Sequence, residues 1–231
     1  MKVNYQGNCD AQIVLLQIIG EHELPLIDEE LSQIKVITQS TDFLLITVQV
    51  DNWNDDLSPW LAAPIFGEAK FGGNAEKLLT RIENEVITPL LSAYPEKKIF
   101  AGGYSLAGLF VMWAGYKTNL FEGIAAVSPS VWFPGFVDFV HNNKMLANKV
   151  YLSLGDKEAK TRNKILAQVE NDIRDVYRSL GDYGLSSILV WNKGNHFKEP
   201  ALRMAKGFAW LMSYKKLPQF TPNLHSFTKA C

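Results

Sequence analysis

The segment IFAGGYSLAGLF, Ile99 to Phe110, changes character twice within a dozen residues. It opens as a short apolar run suited to a buried strand and passes through Gly102 and Gly103. It then continues to Tyr116 as a stretch apolar on nearly every side (Leu106, Leu109, Phe110, Met112, Trp113), as expected of a helix packed inside a domain. Within it, Gly103-Tyr104-Ser105-Leu106-Ala107 fits the pattern G-x-S-x-G with Ala in the last place. A serine held on a sharp strand-to-helix turn sits in a strained backbone conformation. The residues two before and two after it must be small for the turn to close, and Gly103 and Ala107 are. The helix that follows aims its first N–H groups and its dipole at the serine, so the N–H of Leu106 is placed to stabilise a developing oxyanion. A phosphate loop fits less well, because Leu109 and Phe110 stand where Lys and Ser/Thr would be needed. Gly102, Gly103 and Gly108 do not space as a dinucleotide fingerprint either.

Outward from this segment, short runs rich in Val, Ile, Leu and Phe alternate with longer helical segments. Strands are expected at Ile13–Ile19, Phe43–Val50, Lys98–Gly103, Gly123–Val127, Lys149–Leu154 and Ser187–Trp191. Leu78, Leu79, Ile82, Val86 and Leu90 make one helical stripe, Ile165, Val169, Ile173, Val176 and Leu180 another, and Arg203–Trp210 reads as a last amphipathic helix. This alternation predicts an α/β class, a mostly parallel central sheet flanked by helices. One domain is expected over 1–214, with an irregular tail over 215–231, where prolines replace periodicity.

A serine hydroxyl needs a base. Of the histidines downstream of Ser105, His141 lies in a polar helical segment and His225 in the tail. His196, in WNKGNHFKEP, falls just after the last expected strand, where a loop at the carboxyl edge of the sheet would run. His22, between Glu21 and Glu23, reads as a surface residue. In the chain order Ser, acid, His, the acid follows the next-to-last strand, where YLSLGDKEAK offers Asp156 and Glu158; Asp156 could equally close a turn. The second oxyanion donor is expected from the loop that starts at Asp51-Asn52-Trp53, as the N–H of Trp53 or Asn52. Strands and helices follow each other too closely to leave much room for a cap, and the only long insertion is Asn52–Gly73. Its Trp60, Phe66 and Phe71, with Trp132 and Phe133, are expected to wall a substrate pocket, while Ser128 and Ser130 read as turn formers.

These motifs resemble the α/β-hydrolase superfamily, and within it the esterase family that includes esterase D and enterochelin-esterase-like proteins. DDLSPW (Asp55 to Trp60) is similar to their DLTP-type segment, and FGGNAEKLLTRIENEVITPL to their Gly-Gly turn and helix. AVSPSVWF (Ala126 to Phe133) is similar to their SPS-aromatic segment, and GNHF to their histidine loop. The resemblance implies an α/β-hydrolase fold with a minimal cap or none. It implies a serine carboxylic-ester hydrolase working through an acyl-enzyme, with no metal and no organic cofactor. Members of the superfamily often place the acid three residues after the Gly that ends its strand, which favours Glu158. Acyl transfer and thioester or peptide hydrolysis use the same machinery, and a non-catalytic binding module on this fold is the remaining alternative. Where enterochelin-esterase-like members often carry arginines, this chain has Trp53, Asn54 and Asp55, which argues against a large anionic siderophore.

Composition sets the outer bounds. Of 231 residues 47% are apolar and 12% aromatic, enough for a large core, and a net charge of −1 offers no field to gather nucleic acid or an anionic membrane. Cys9 and Cys231 are too few for a disulfide framework, and no leader or membrane-length apolar run is read. The expectation is a cytoplasmic enzyme of a small-molecule ester, with oligomeric state left open.

Overall fold

The computed structural model describes residues 1–65, 67–182 and 184–213. The expectations for Phe66, His225 and the tail 215–231 lie outside the described residues. Among those described, seven strands form one sheet in the order β1 (Lys2–Gly7), β3 (Leu44–Gln49), β2 (Ile13–Ile19), β6 (Lys98–Tyr104), β7 (Gly123–Val127), β8 (Lys149–Gly155) and β9 (Ser186–Asn192). β1 pairs antiparallel with β3, and every other neighbouring pair is parallel. The six strands expected from sequence are therefore present, two of them with the expected ends. β1 was not expected. It is an edge strand whose residues are exposed except for half-buried Val3 and Gln6, so it carries too few apolar side chains to stand out.

Central strands of a parallel sheet are covered on both faces, and their side chains divide accordingly. Leu16 and Ile18 of β2 join one core cluster with Leu109, Val111 and Ile173, from α5 (Leu106–Gly115) and α7 (Val169–Asp182). Leu15 and Ile19 join the other with Ile34 of α1 (Ile27–Thr38) and with Met204 and Phe208 of α8 (Pro200–Met212). The arrangement is three layers, helix, sheet and helix.

Three helical expectations shift. The stripe Leu78 to Leu90 spans α3 (Ala75–Ile82), a π-helical turn (Glu83–Ile87) and α4 (Thr88–Ala93). α7 begins at Val169, leaving Ile165 43% exposed ahead of it, because Asn163 Oδ1 accepts the N–H groups of Ile165 and Leu166 and closes a turn there. α8 begins at Pro200, whose fixed φ suits a first helical position, so Arg203 lies inside it rather than at its start. The insertion after β3 holds α2 (Trp53–Leu57) and the two-residue strands β4 (Leu61–Ala62) and β5 (Phe71–Gly72). Among the described residues, no helix is long and apolar enough to cross a membrane.

Candidate active site

In a parallel sheet the carboxyl ends of the strands point to one edge, and loops there converge. Ser105 leaves β6 there, Glu158 follows β8, His196 follows β9 and Trp53 follows β3.

Ser105 has φ 57° and ψ −120°, a conformation that L-residues adopt only under constraint. Backbone bonds hold it on both sides, its N–H donating to Val127 O (3.0 Å) and its carbonyl accepting from Leu109 N (3.1 Å) and Ser130 N (3.0 Å). The turn closes only around small residues. A Cβ on Gly103 would lie 2.5 Å from the backbone carbon and oxygen of Ala107.

His196 Nε2 lies 3.0 Å from Ser105 Oγ, and its Nδ1 lies 2.7 Å from Glu158 Oε2. With the proton on Nδ1 donated to the carboxylate, Nε2 is free to accept from the serine hydroxyl. The Glu158 side chain is 4% exposed and that of His196 31%, so the carboxylate is sealed while the imidazole is open to the cavity. Glu158 Oε1 accepts from Gly155 N (2.6 Å), Ser128 Oγ (2.8 Å) and Arg203 Nη1 (3.0 Å), which leaves Oε2 directed at the imidazole. Burial pushes this carboxyl up, but the hydrogen bond and charge of His196, with the bonds from Ser128 and Gly155, outweigh it and hold it below the usual range.

Asp156, the other acid read from the sequence, stands apart from this chain of bonds. Its Oδ1 accepts from Gly194 N (2.7 Å) and its N–H donates to Asn192 O (2.8 Å), bracing the loop after β8 against the loop after β9. Two helix starts contribute residues to the cavity that holds Ser105. Leu106 is the first residue of α5 and Trp53 the first of α2, and the first N–H groups of a helix have no partner within it. Of the two N–H groups read from the sequence, that of Asn52 is engaged by Asp56 Oδ2 (3.0 Å). Among the described residues, no group of three or more His, Cys, Asp or Glu side chains could hold a metal ion.

A cavity of about 480 Å³ opens over Ser105 and His196, walled by Trp53, Phe71, Trp132 and Phe197, with Lys157 and Lys160 on its rim. Trp60 and Phe133, expected in this wall, are not among its lining residues. Phe133 is 2% exposed and belongs to the core. Trp60 packs on Phe133 and Phe139 (5.7 and 5.8 Å between ring centres) and donates Nε1–H to Pro134 O (2.9 Å). An aromatic residue in a loop reads the same from sequence whether it walls a pocket or carries the wall.

Four residues were missed or misread. Ser128, read as a turn former, does sit at φ 45°, but its hydroxyl also donates to the acid. Arg203 and Tyr104 reach the acid and the histidine loop from below. The signal for Arg203 was an arginine amid Ala201, Met204 and Ala205 on a helix otherwise bound for the core. Phe197, 84% exposed, stands edge-on to the His196 ring at 5.3 Å.

No protein-family model matches the chain. The uncharacterized protein YbbA of Bacillus subtilis is 26% identical over 185 residues, 74% of this chain and 73% of that one. Among solved structures, an IroE-like serine hydrolase from Shewanella oneidensis superposes with a TM-score of 0.71 at 14% identity, covering 90% of this chain and 74% of that one. The siderophore hydrolase EstB of Aspergillus nidulans does so with a TM-score of 0.71 at 16% identity, covering 94% and 92%. At such identities the likeness fixes the fold, and this chain has the α/β-hydrolase fold.

Proposed function

We propose that the protein is a serine hydrolase that cleaves carboxylic esters of small molecules through an acyl-enzyme. The observation that carries this reading is the unbroken relay from Ser105 Oγ to His196 Nε2 (3.0 Å) and from His196 Nδ1 to Glu158 Oε2 (2.7 Å). Ser105 Oγ attacks the ester carbonyl as His196 Nε2 takes its proton, and the imidazolium that forms is stabilised by Glu158. The oxyanion is received by the N–H groups of Leu106 and Trp53. The same imidazolium then returns its proton to the leaving alcohol. Water repeats the sequence on the acyl-enzyme, releasing the acid and restoring Ser105.

The aromatic walls and the size of the cavity favour an ester with a flat apolar portion, and Lys157 and Lys160 favour negative charge at its outer end. The siderophore hydrolase among the structural neighbours fits that charge, but Trp53, Asn54 and Asp55 point to a substrate smaller than a whole siderophore. A cytoplasmic setting belongs to this proposal.

The test is steady-state hydrolysis of p-nitrophenyl esters of graded acyl length by the native protein and by Ser105→Ala and His196→Ala. Each variant is expected to lose about 10⁴-fold or more in kcat, with residual catalysis from the oxyanion donors. A kcat in Ser105→Ala within about tenfold of native would reject the assignment.

A further inference from the structure

Arg203 is 1% exposed and ranks among the largest fully buried side chains of the protein, yet it carries a charge. Its Nη1 donates to Glu158 Oε1 (3.0 Å), Ser128 Oγ (3.2 Å) and Tyr104 OH (3.2 Å). Its Nη2 donates to Asn195 O (2.9 Å) and Lys193 O (3.4 Å), both in the loop that carries His196. The two hydroxyls pass the bonding on. Ser128 Oγ donates to Glu158 Oε1 (2.8 Å) and Tyr104 OH to the backbone oxygen of His196 (2.6 Å). Every bond made by this guanidinium therefore ends on the acid, on the loop of the base, or on a hydroxyl that reaches one of them.

A core arginine is a poor way to gain stability. Its burial costs more than an apolar side chain of the same volume, and exchanging buried ion pairs for apolar residues is often neutral or favourable. Its contacts here are specific to the reacting groups. We propose that Arg203 is a positioning residue of this hydrolase, one guanidinium that fixes the Glu158 carboxylate and the His196 loop in a single unit and balances the carboxylate charge behind the imidazole. The proposal rests on the serine-hydrolase reading.

Other titratable groups do not replace that charge. Tyr104 on β6 and Tyr151 on β8 face the guanidinium as neutral phenols, both pushed up by burial and Tyr151 to about 12. Lys157, Lys193 and Lys198, in the two adjoining loops, are exposed, where water screens them. Removing the positive charge leaves Glu158 free to hold an imidazolium more strongly, and removes a like charge that opposes it. Both effects make His196 easier to protonate.

The experiment compares the native protein with Arg203→Gln and Arg203→Lys, reading the pH dependence of kcat/KM on p-nitrophenyl acetate and, without any turnover, the titration of the His196 ring by nitrogen NMR. In Arg203→Gln the acid limb and the NMR midpoint are both expected to rise by about one pH unit, with kcat/KM lowered at least tenfold at neutral pH. Arg203→Lys keeps the charge but cannot span both branches, so its midpoint should stay at the native value while kcat/KM falls by a smaller factor. A midpoint unmoved in Arg203→Gln, or moved equally in both variants, overturns the proposal. Failure of both variants to fold would assign Arg203 to the fold and overturn it too. If the native protein hydrolyses no ester while the midpoint still shifts in Arg203→Gln alone, the proposed function fails and the coupling of Arg203 to the Glu158–His196 pair stands.

Discussion

Replacing Glu30 by Gln should remove a pH dependence of stability built into the contact between α1 and β2. Glu30 is 2% exposed on α1, and its Oε2 accepts from Gln17 Nε2 of β2 (2.9 Å). Its Oε1 and the Gln17 Oε1 are both buried with no hydrogen-bond partner. Burial pushes the Glu30 carboxyl from 4.5 to about 8, with the charge of Glu23 adding to the rise and the Gln17 bond opposing it. A proton on Glu30 supplies the donor that both orphan oxygens lack. The unfolded chain gives up this proton near 4.5 and the native protein near 8. The stability tied to the proton is thus complete below the lower value and is lost as pH rises through that window. One proton corresponds to about 1.4 kcal/mol per pH unit, so raising the pH from 5 to 8 should cost the native protein about 3 to 4 kcal/mol through Glu30. In Glu30→Gln the amide is neutral at every pH and offers an N–H in place of the acid proton. Glu23, raised to about 7 by burial against the opposing Gly20 N–H, remains in both proteins and largely cancels in their difference. The assay is urea unfolding followed by tryptophan fluorescence at pH 5, 6, 7 and 8. Glu30→Gln should gain on the native protein steadily across the series, by about 3 kcal/mol or more at pH 8 relative to pH 5. Parallel curves would show that Glu30 does not carry this pH dependence.

The two acids after β8 should separate sharply. Glu158→Gln is expected to lower kcat by about 10⁴-fold and, by leaving Arg203 buried without a counter-charge, to cost about 3 kcal/mol in thermal or urea unfolding. Asp156→Asn keeps an oxygen for the Gly194 N–H and should stay within a fewfold of native activity. Gly103→Ala, whose Cβ would stand 2.5 Å from the Ala107 backbone, should destabilise the protein by about 2 kcal/mol or more and abolish turnover, whereas Ala107→Gly should remain active. Trp60→Ala, at a half-buried site, is expected to lose about 1 to 2 kcal/mol of stability with KM little changed, and Trp132→Ala to raise KM severalfold.

The sheet and the turn around Ser105 were legible in the sequence for a common reason. A central parallel strand is apolar on both faces, and a serine on a tight turn demands small neighbours, so β2, β7 and Gly103 to Ala107 announce themselves locally. The helix α1 did not, because it buries Glu30 alongside Ile27 and Ile34 and exposes Val36 (71%). A charged residue on the inner face and an apolar one outside blur its stripe. Pocket walls are settled by tertiary packing rather than by residue type, which is why Phe133 belongs to the core, half-buried Trp60 packs against it, and Phe197 stands beside His196 without a sequence signal. Arg203 and Ser128 touch Glu158 across long stretches of chain, and no local pattern in either segment points to that contact.

Reaction with a fluorophosphonate, followed by mass spectrometry of the peptides, tests the serine assignment most directly. A single adduct is expected on Ser105 of the native protein, absent from Ser105→Ala and formed far more slowly in His196→Ala. No adduct on the folded native protein, or an adduct on another residue that persists in Ser105→Ala, would contradict the assignment.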